Sequence, residues 1–274
     1  MPGRATRQSV DQGYGRTSRR YVIETGEERL ELDSVTSILS VIGKPALINW
    51  AANTERALVL DASADLYEDL PTDGRKMGRP AYIATLTSRL GKLKAHQREL
   101  AKASEIGTKV HALVEWTLRK EKGEEVGEAP PLRDAAAFAF SVWETWRKQV
   151  TLKPLAIEQM IWSRAHQYAG TLDLLAEITI DAGKVVAVLD WKSGKGIYDE
   201  AILQNAAYIQ AVIEMGHAKA PVWGVIVRVP KVERDPEPEM RIVTPSEQRE
   251  AFAAFLHAKA LWDRMQAKRE ESRK

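Results

Sequence analysis

Two aspartates and one lysine in the second half of the chain carry the most chemistry for their number. Asp190-Trp-Lys192 closes an apolar run, Val185-Val-Ala-Val-Leu189, and Asp173 stands at the head of another, Leu174–Ile180. Between the runs, Asp181-Ala-Gly-Lys184 is a tight-turn signal, so the two read as a β-hairpin. With Ala182-Gly183 as the central pair, Asp173 falls opposite Lys192, and Asp190 lies diagonal to it on the same face. Trp191 points the other way, with Leu174, Ala176, Ile178, Ala187 and Leu189, so the reverse face is apolar and packs on helices. Two carboxylates brought this close repel by on the order of 1 kcal/mol unless a cation shares them. That cation is either Lys192, giving an ion-pair cluster at a strand end, or a metal ion.

Other polar residues stand at helical spacing. Gly107, His111 and Glu115 recur every fourth residue beside a stripe of Val110, Leu113, Val114, Thr117 and Leu118. Gly107 leaves room for another element, and His111 and Glu115 either face a cleft or are ordinary helix-surface groups. Gln204 and Tyr208 share a face of the helix after Lys192, and alone form an unremarkable polar edge.

Composition removes several classes of function. The 274 residues include no cysteine, which excludes disulfides, thiolate nucleophiles and cysteine-held iron–sulfur clusters. Forty basic against thirty-eight acidic residues leave a net charge of +2, so any phosphate-binding surface is a local groove and not bulk charge. Apolar runs stay short of a membrane span, and the cytoplasm is the expected compartment. Residues 1–20, with five arginines and no apolar stretch, read as a disordered basic arm and not as a secretory signal.

In chain order, Gly107-Thr-x-x-His111, Glu158, Gly170-Thr-x-Asp173, Asp190-Trp-Lys192-Ser-Gly194 and Gln204-x-x-x-Tyr208 resemble the PD-(D/E)XK nuclease superfamily, in its RecB-like and phage-type exonuclease branch. The resemblance covers residues 104–212. More loosely, Ser34–Leu39 with Leu47–Trp50 is similar to the start of phage exonucleases and of the mitochondrial genome-maintenance exonuclease. It implies an α/β, restriction-endonuclease-like core, a central mixed β-sheet flanked by helices. It implies a metal-dependent exonuclease that hydrolyses DNA phosphodiester bonds from free single-stranded ends, in replication, recombination or repair. A flap or junction endonuclease and an inactive DNA-end-binding protein are the alternatives. A recombination or single-strand-binding protein is an implied partner, with no membrane involved.

The same resemblance assigns roles. One or two Mg²⁺ or Mn²⁺ ions are held by His111, Asp173, Asp190 and the Trp191 carbonyl, while Lys192 offsets charge or orients the attacking water. Glu158 binds a second ion or positions Lys192, and Glu115 supports His111. Gln204 and Tyr208 touch DNA beside the scissile phosphate; Ser193, Arg164 and Lys195 are phosphate contacts or plain surface residues. The relatives' iron–sulfur cluster has no ligands here.

The elements that must position these groups follow from periodicity and punctuation. Tyr21–Leu32 reads as a hairpin, and a helix capped by Asp33 or Ser34 follows it. Pro45–Leu60 reads as a second helix, 61–80 as loops and a short helix, and Arg79–Lys102 as a basic helical stretch that lines a strand channel or is solvated. Ser104 caps the helix that carries His111. A helix over 132–150, strands over 155–163, 171–180, 185–191 and 222–229, a helix over 200–215 and a terminal helix over 246–272 complete the series. Trp50, Trp143 and Trp146 are core residues or base-stacking platforms. The divisions expected are an arm over 1–20, a helical region over 21–103 and the nuclease-like core over 104–274.

Overall fold

The computed structural model describes residues 4–11, 17–25, 28–69, 77–92 and 94–272. The chain forms two compact units, one of Met1–Ile42 with Gly107–Lys274 and one of Gly43–Ile106.

The larger unit is α/β. Its open mixed sheet of eight strands is β1 (Arg4–Asp11), β2 (Thr17–Thr25), β3 (Glu28–Ser34), β4 (Leu152–Ser163), β5 (Tyr168–Ile180), β6 (Gly183–Lys192), β7 (Trp223–Arg228) and β8 (Glu239–Val243). The path runs β1-β2-β3-β5-β6-β7-β8, with β4 also paired to β5. Helix α1 (Val35–Ile38) follows β3, its N-terminal Ser34 hydroxyl accepting from the Ser37 N–H. Helix α6 (Asp199–Glu214) carries the chain across from β6 to the parallel β7. It packs its Ala207, Tyr208, Ala211 and Val212 among Leu172, Leu175 and Val188 of the sheet and Phe255 of α7 (Pro245–Glu271). On the opposite face, Trp191 meets Trp143 and Trp146 of α5 (Asp134–Gln149) edge-on, at ring separations of 6.0 and 5.3 Å.

One feature of the pairing splits the sheet. β4 takes one edge of β5 along residues 168–178. On the other edge, β3 pairs only with Tyr168 and Ala169, and β6 begins its pairing at Leu174. Neither pairs with residues 170–173, so the sheet forks there, with Asp173 where β6 departs.

The smaller unit contains α2 (Pro45–Glu68), α3 (Arg79–Leu90) and the first half of α4 (Ala95–Glu121), whose second half belongs to the larger unit. Within it Arg89 pairs with Asp69 at 2.5 Å, and His96 with Glu55 at 2.8 Å.

Several sequence expectations change. Residues 4–11 and 17–20, expected to be a loose arm, lie in β1 and β2, and β2 to β3 is the expected hairpin, lengthened at both ends. The polar β1 is an edge strand, where one paired neighbour suffices and apolar alternation is weak. α2 continues over 61–68, where loops and a separate short helix were expected. The basic stretch breaks at Gly91, whose φ of +70° ends α3, and Ser104 lies inside α4 instead of capping it. The hairpin turn is Asp181-Ala182 with Gly183 at φ +95°, which pairs Leu174 with Leu189 and sets Asp173 across from Asp190, not Lys192. The shift is by two residues, so every side chain stays on its expected face.

Candidate metal centre

Four elements converge at the fork. β5 supplies Asp173, and the Trp191 N–H on β6 donates to its Oδ2 at 2.8 Å, closing the crotch with a side chain where a ladder bond would otherwise stand. α4 supplies His111. The helix can approach because Gly107 faces Ser193; a Cβ on Gly107 would sit 3.2 Å from the Ser193 Oγ. The imidazole Nδ1 lies 3.6 Å from Asp173 Oδ1, and Nε2 lies 3.2 Å from the Trp191 carbonyl oxygen.

β4 supplies Glu158. Its neighbours Ile157 and Gln159 pair with Leu174 and Leu172, so Glu158 falls opposite Asp173. Its backbone sits at φ +47°, in the left-handed region that side chains other than glycine rarely adopt. One donor atom each from His111, Glu158 and Asp173 lies within 4.8 Å of the others. Donors about 2.1 Å from a six-coordinate cation stand roughly 3 to 4.2 Å apart, so the three can reach one ion. With Nε2 protonated toward the Trp191 carbonyl, Nδ1 keeps its lone pair toward the carboxylates.

Asp190 and the Trp191 carbonyl, both expected as ligands, also contact side chains of the cluster. Asp190 is 2% exposed, with Oδ2 at 2.6 Å from the Lys192 Nζ and Oδ1 accepting from Gln204 Nε2 at 3.4 Å. Gln204 also accepts from Lys192 at 3.1 Å and donates to the Tyr208 hydroxyl at 3.0 Å. Gln204 of α6 thus holds the lysine and its aspartate, and Tyr208 accepts from Gln204. The Trp191 carbonyl orients the imidazole.

The charges of this cluster set one another. Burial works against the His111 cation, but the Asp173 carboxylate, with Asp190, outweighs it and lifts the imidazole to about 9. Burial, then the Asp173 charge, raises Glu158 to about 7, against the pull of His111 and Arg7. Burial also pushes Asp190 up to about 6, opposed by Lys192 and helped by Asp173. For Asp173 burial acts upward too, yet His111, Lys192 and the Trp191 N–H keep it below the usual carboxylate range. Lys192 loses by burial and gains more from Asp190 and Asp173, so it is held charged. The fork therefore presents one firm anion, one firm cation, and an imidazole and two carboxyls that shed protons when a cation replaces them.

Not every candidate joins the cluster. Glu115 pairs with Arg119 at 2.9 Å and not with His111. Arg164 lies in the turn between β4 and β5, ion-paired with Glu28. Ser193 packs under α4, and Lys195 is exposed in the loop that follows. Trp143 and Trp146 are buried at 1% and 4% exposure, which removes them as base platforms; Trp50, in the smaller unit, sets its ring edge-on to His96. Sequence reasoning missed Tyr21 of β2, whose hydroxyl lies 3.0 Å from that of Thr171, two residues before Asp173. Only the strand pairing of the amino-terminal hairpin brings it there, and no local spacing signals that.

No protein-family model matches this chain, and no curated protein matches it. No helix among the described residues is long and apolar enough alone to cross a membrane.

Proposed function

We propose that this chain is a divalent-metal-dependent nuclease that hydrolyses DNA phosphodiester bonds, acting from free single-stranded ends. What carries the reading is the adjacency of two sets. One is an acid–imidazole group with the reach of a single hard cation; the other is a lysine held charged beside it by a buried aspartate. A Mg²⁺ or Mn²⁺ ion bound there would lower the pKa of a water and draw off charge from the phosphate.

The protein's own groups account for the rest. His111, Glu158 and Asp173 would hold the ion; the mixed imidazole and carboxylate set would accept Mn²⁺ at least as readily as Mg²⁺. Asp190 and Gln204 aim Lys192 with two contacts, and its ammonium offsets negative charge that grows on the phosphate oxygens. Because both neighbouring carboxylates favour the charged amine, it acts electrostatically and does not take the water's proton.

End-labelled linear and closed-circular single-stranded DNA, incubated with Mn²⁺, tests the reading. Linear DNA should be degraded from an end and circles should survive; cut circles would make the chain an endonuclease. Asp173→Ala and Lys192→Ala should each lower cleavage by on the order of 100-fold or more with the fold retained. Binding without any cleavage would leave a DNA-end-binding protein in place of the enzyme.

A further inference from the structure

The face of the amino-terminal sheet that carries Tyr21 also carries an arginine. In the β1–β2 pairing Arg7 is directly opposite Tyr21, and Tyr21 is opposite Leu32 of β3, so the three side chains lie in one row on one face. Tyr21 is 3% exposed and its hydroxyl is tied to Thr171, which fixes that face against the floor of the fork. Arg7, at the outer end of the row on the edge strand, is exposed. No carboxylate among the described residues lies within ion-pairing distance of it. Its charge is nonetheless felt at Glu158.

We infer that Arg7 is a phosphate-binding residue of this site, taking a phosphate of the substrate strand other than the one attacked. The inference rests on the nuclease reading for its ligand, and on the strand register and the Tyr21–Thr171 contact for its place. Lys192 on β6 and Arg7 on β1, two strands beyond β3, lie to opposite sides of Asp173 along the sheet. A strand crossing the fork meets a cation on each side of the acidic floor. A guanidinium suits the outer position, because it grips a phosphate with two parallel N–H groups and stays charged beside acids.

The test is a salt titration of binding, read by fluorescence anisotropy of a labelled single-stranded oligonucleotide in EDTA, which suppresses hydrolysis. Arg7→Gln is compared with the wild type and with Arg29→Gln. Arg29 sits on the opposite face of β3, paired with Glu31 at 3.0 Å, and controls for loss of one charge. Arg7→Gln should weaken binding about tenfold at low salt and reduce the slope of log affinity against log salt by about one. Arg29→Gln should change neither, and Arg7→Lys should restore the slope. With Mn²⁺, Arg7→Gln should raise KM and leave kcat within about twofold. An unchanged slope in Arg7→Gln, or an equal change in Arg29→Gln, overturns the inference even if the wild type cleaves DNA. A wild type that binds without cleaving removes the enzyme reading while the slopes still decide Arg7. Absence of any binding removes both.

Discussion

Glu158 holds a backbone angle that side chains resist, in the middle of a strand, with a carboxyl that its surroundings push up to about 7. Strain of on the order of 1 kcal/mol at such a residue persists when the position has another use. Replacing Glu158 by Asn, which tolerates the left-handed region and carries no charge, should raise the melting temperature of the metal-free protein by a few degrees. The same variant should lose the rise in melting temperature that Mn²⁺ gives the wild type. A lower melting temperature in EDTA, or an Mn²⁺ response that survives, would remove Glu158 from the ligand set. At this scale the sequence was informative where chemistry and local spacing coincide. Asp173, Asp190 and Lys192 were legible because strand alternation within one hairpin fixes which way each points, and His111 because the resemblance singled it out of an open helix-face reading. The place of Glu158 was not, because the pairing of β4 with β5 sets it across from Asp173, and sequence spacing does not reveal it. Arg7 and Tyr21 were illegible for a similar reason, since 150 residues separate Tyr21 from Thr171.

At the scale of elements, the centre depends on a close approach at Gly170 that only glycine allows. A Cβ on Gly170 of β5 would overlap the Tyr208 ring of α6, with 3.0 Å to the ring Cζ. Tyr208 is buried and accepts from Gln204, which in turn holds Lys192 and Asp190. Gly170→Ala should therefore cost about 1–3 kcal/mol of stability and, measured well below its melting temperature, should reduce cleavage although it touches no charged group. Gly107→Ala meets only the Ser193 hydroxyl, which can rotate away, and its effect on both readouts should be smaller. The reverse ranking would mean that the α4–β6 approach, not the seat of α6, governs the site. Most helices and strands of the larger unit could be read from periodicity and turn residues, within a few positions of their ends. The hairpin register could not, because Asp181-Ala182 and Ala182-Gly183 are equally good turn pairs by composition. An error of one residue would have turned Asp173 to the apolar face. The actual difference of two moved it only along the same face, so the convergence of acids and amine was still foreseeable.

For the whole molecule, the buried charges tie folding, metal and pH together. In the metal-free chain His111 is raised from 6.5 to about 9, so its contribution to stability is complete below 6.5 and is lost as pH rises through about 9. Glu158, raised from 4.5 to about 7, stabilises when protonated, and that contribution fades as pH rises from 4.5 through about 7. Asp190, raised from 3.8 to about 6, acts in the same direction at lower pH. Asp173 is shifted oppositely, and its contribution, present above 3.8, is lost only on acidification. Between about pH 6 and 9 the metal-free fold is therefore weakened by His111 and, up to about pH 7, by Glu158, Asp190 having acted below pH 6. A cation that takes the place of their protons binds more tightly over the same interval, and a ligand that binds only the folded state stabilises it in proportion. The melting temperature in EDTA should fall from pH 6 to pH 9, while the gap between Mn²⁺-loaded and EDTA-treated protein should widen. In Asp173→Asn the carboxylate that lifts both His111 and Glu158 is gone, so the fall in EDTA should flatten and the gap should shrink at every pH. A wild-type gap that is constant with pH would mean that the ion, if bound, is held by groups that carry no protons at pH 6, and His111 and Glu158 would not be among them.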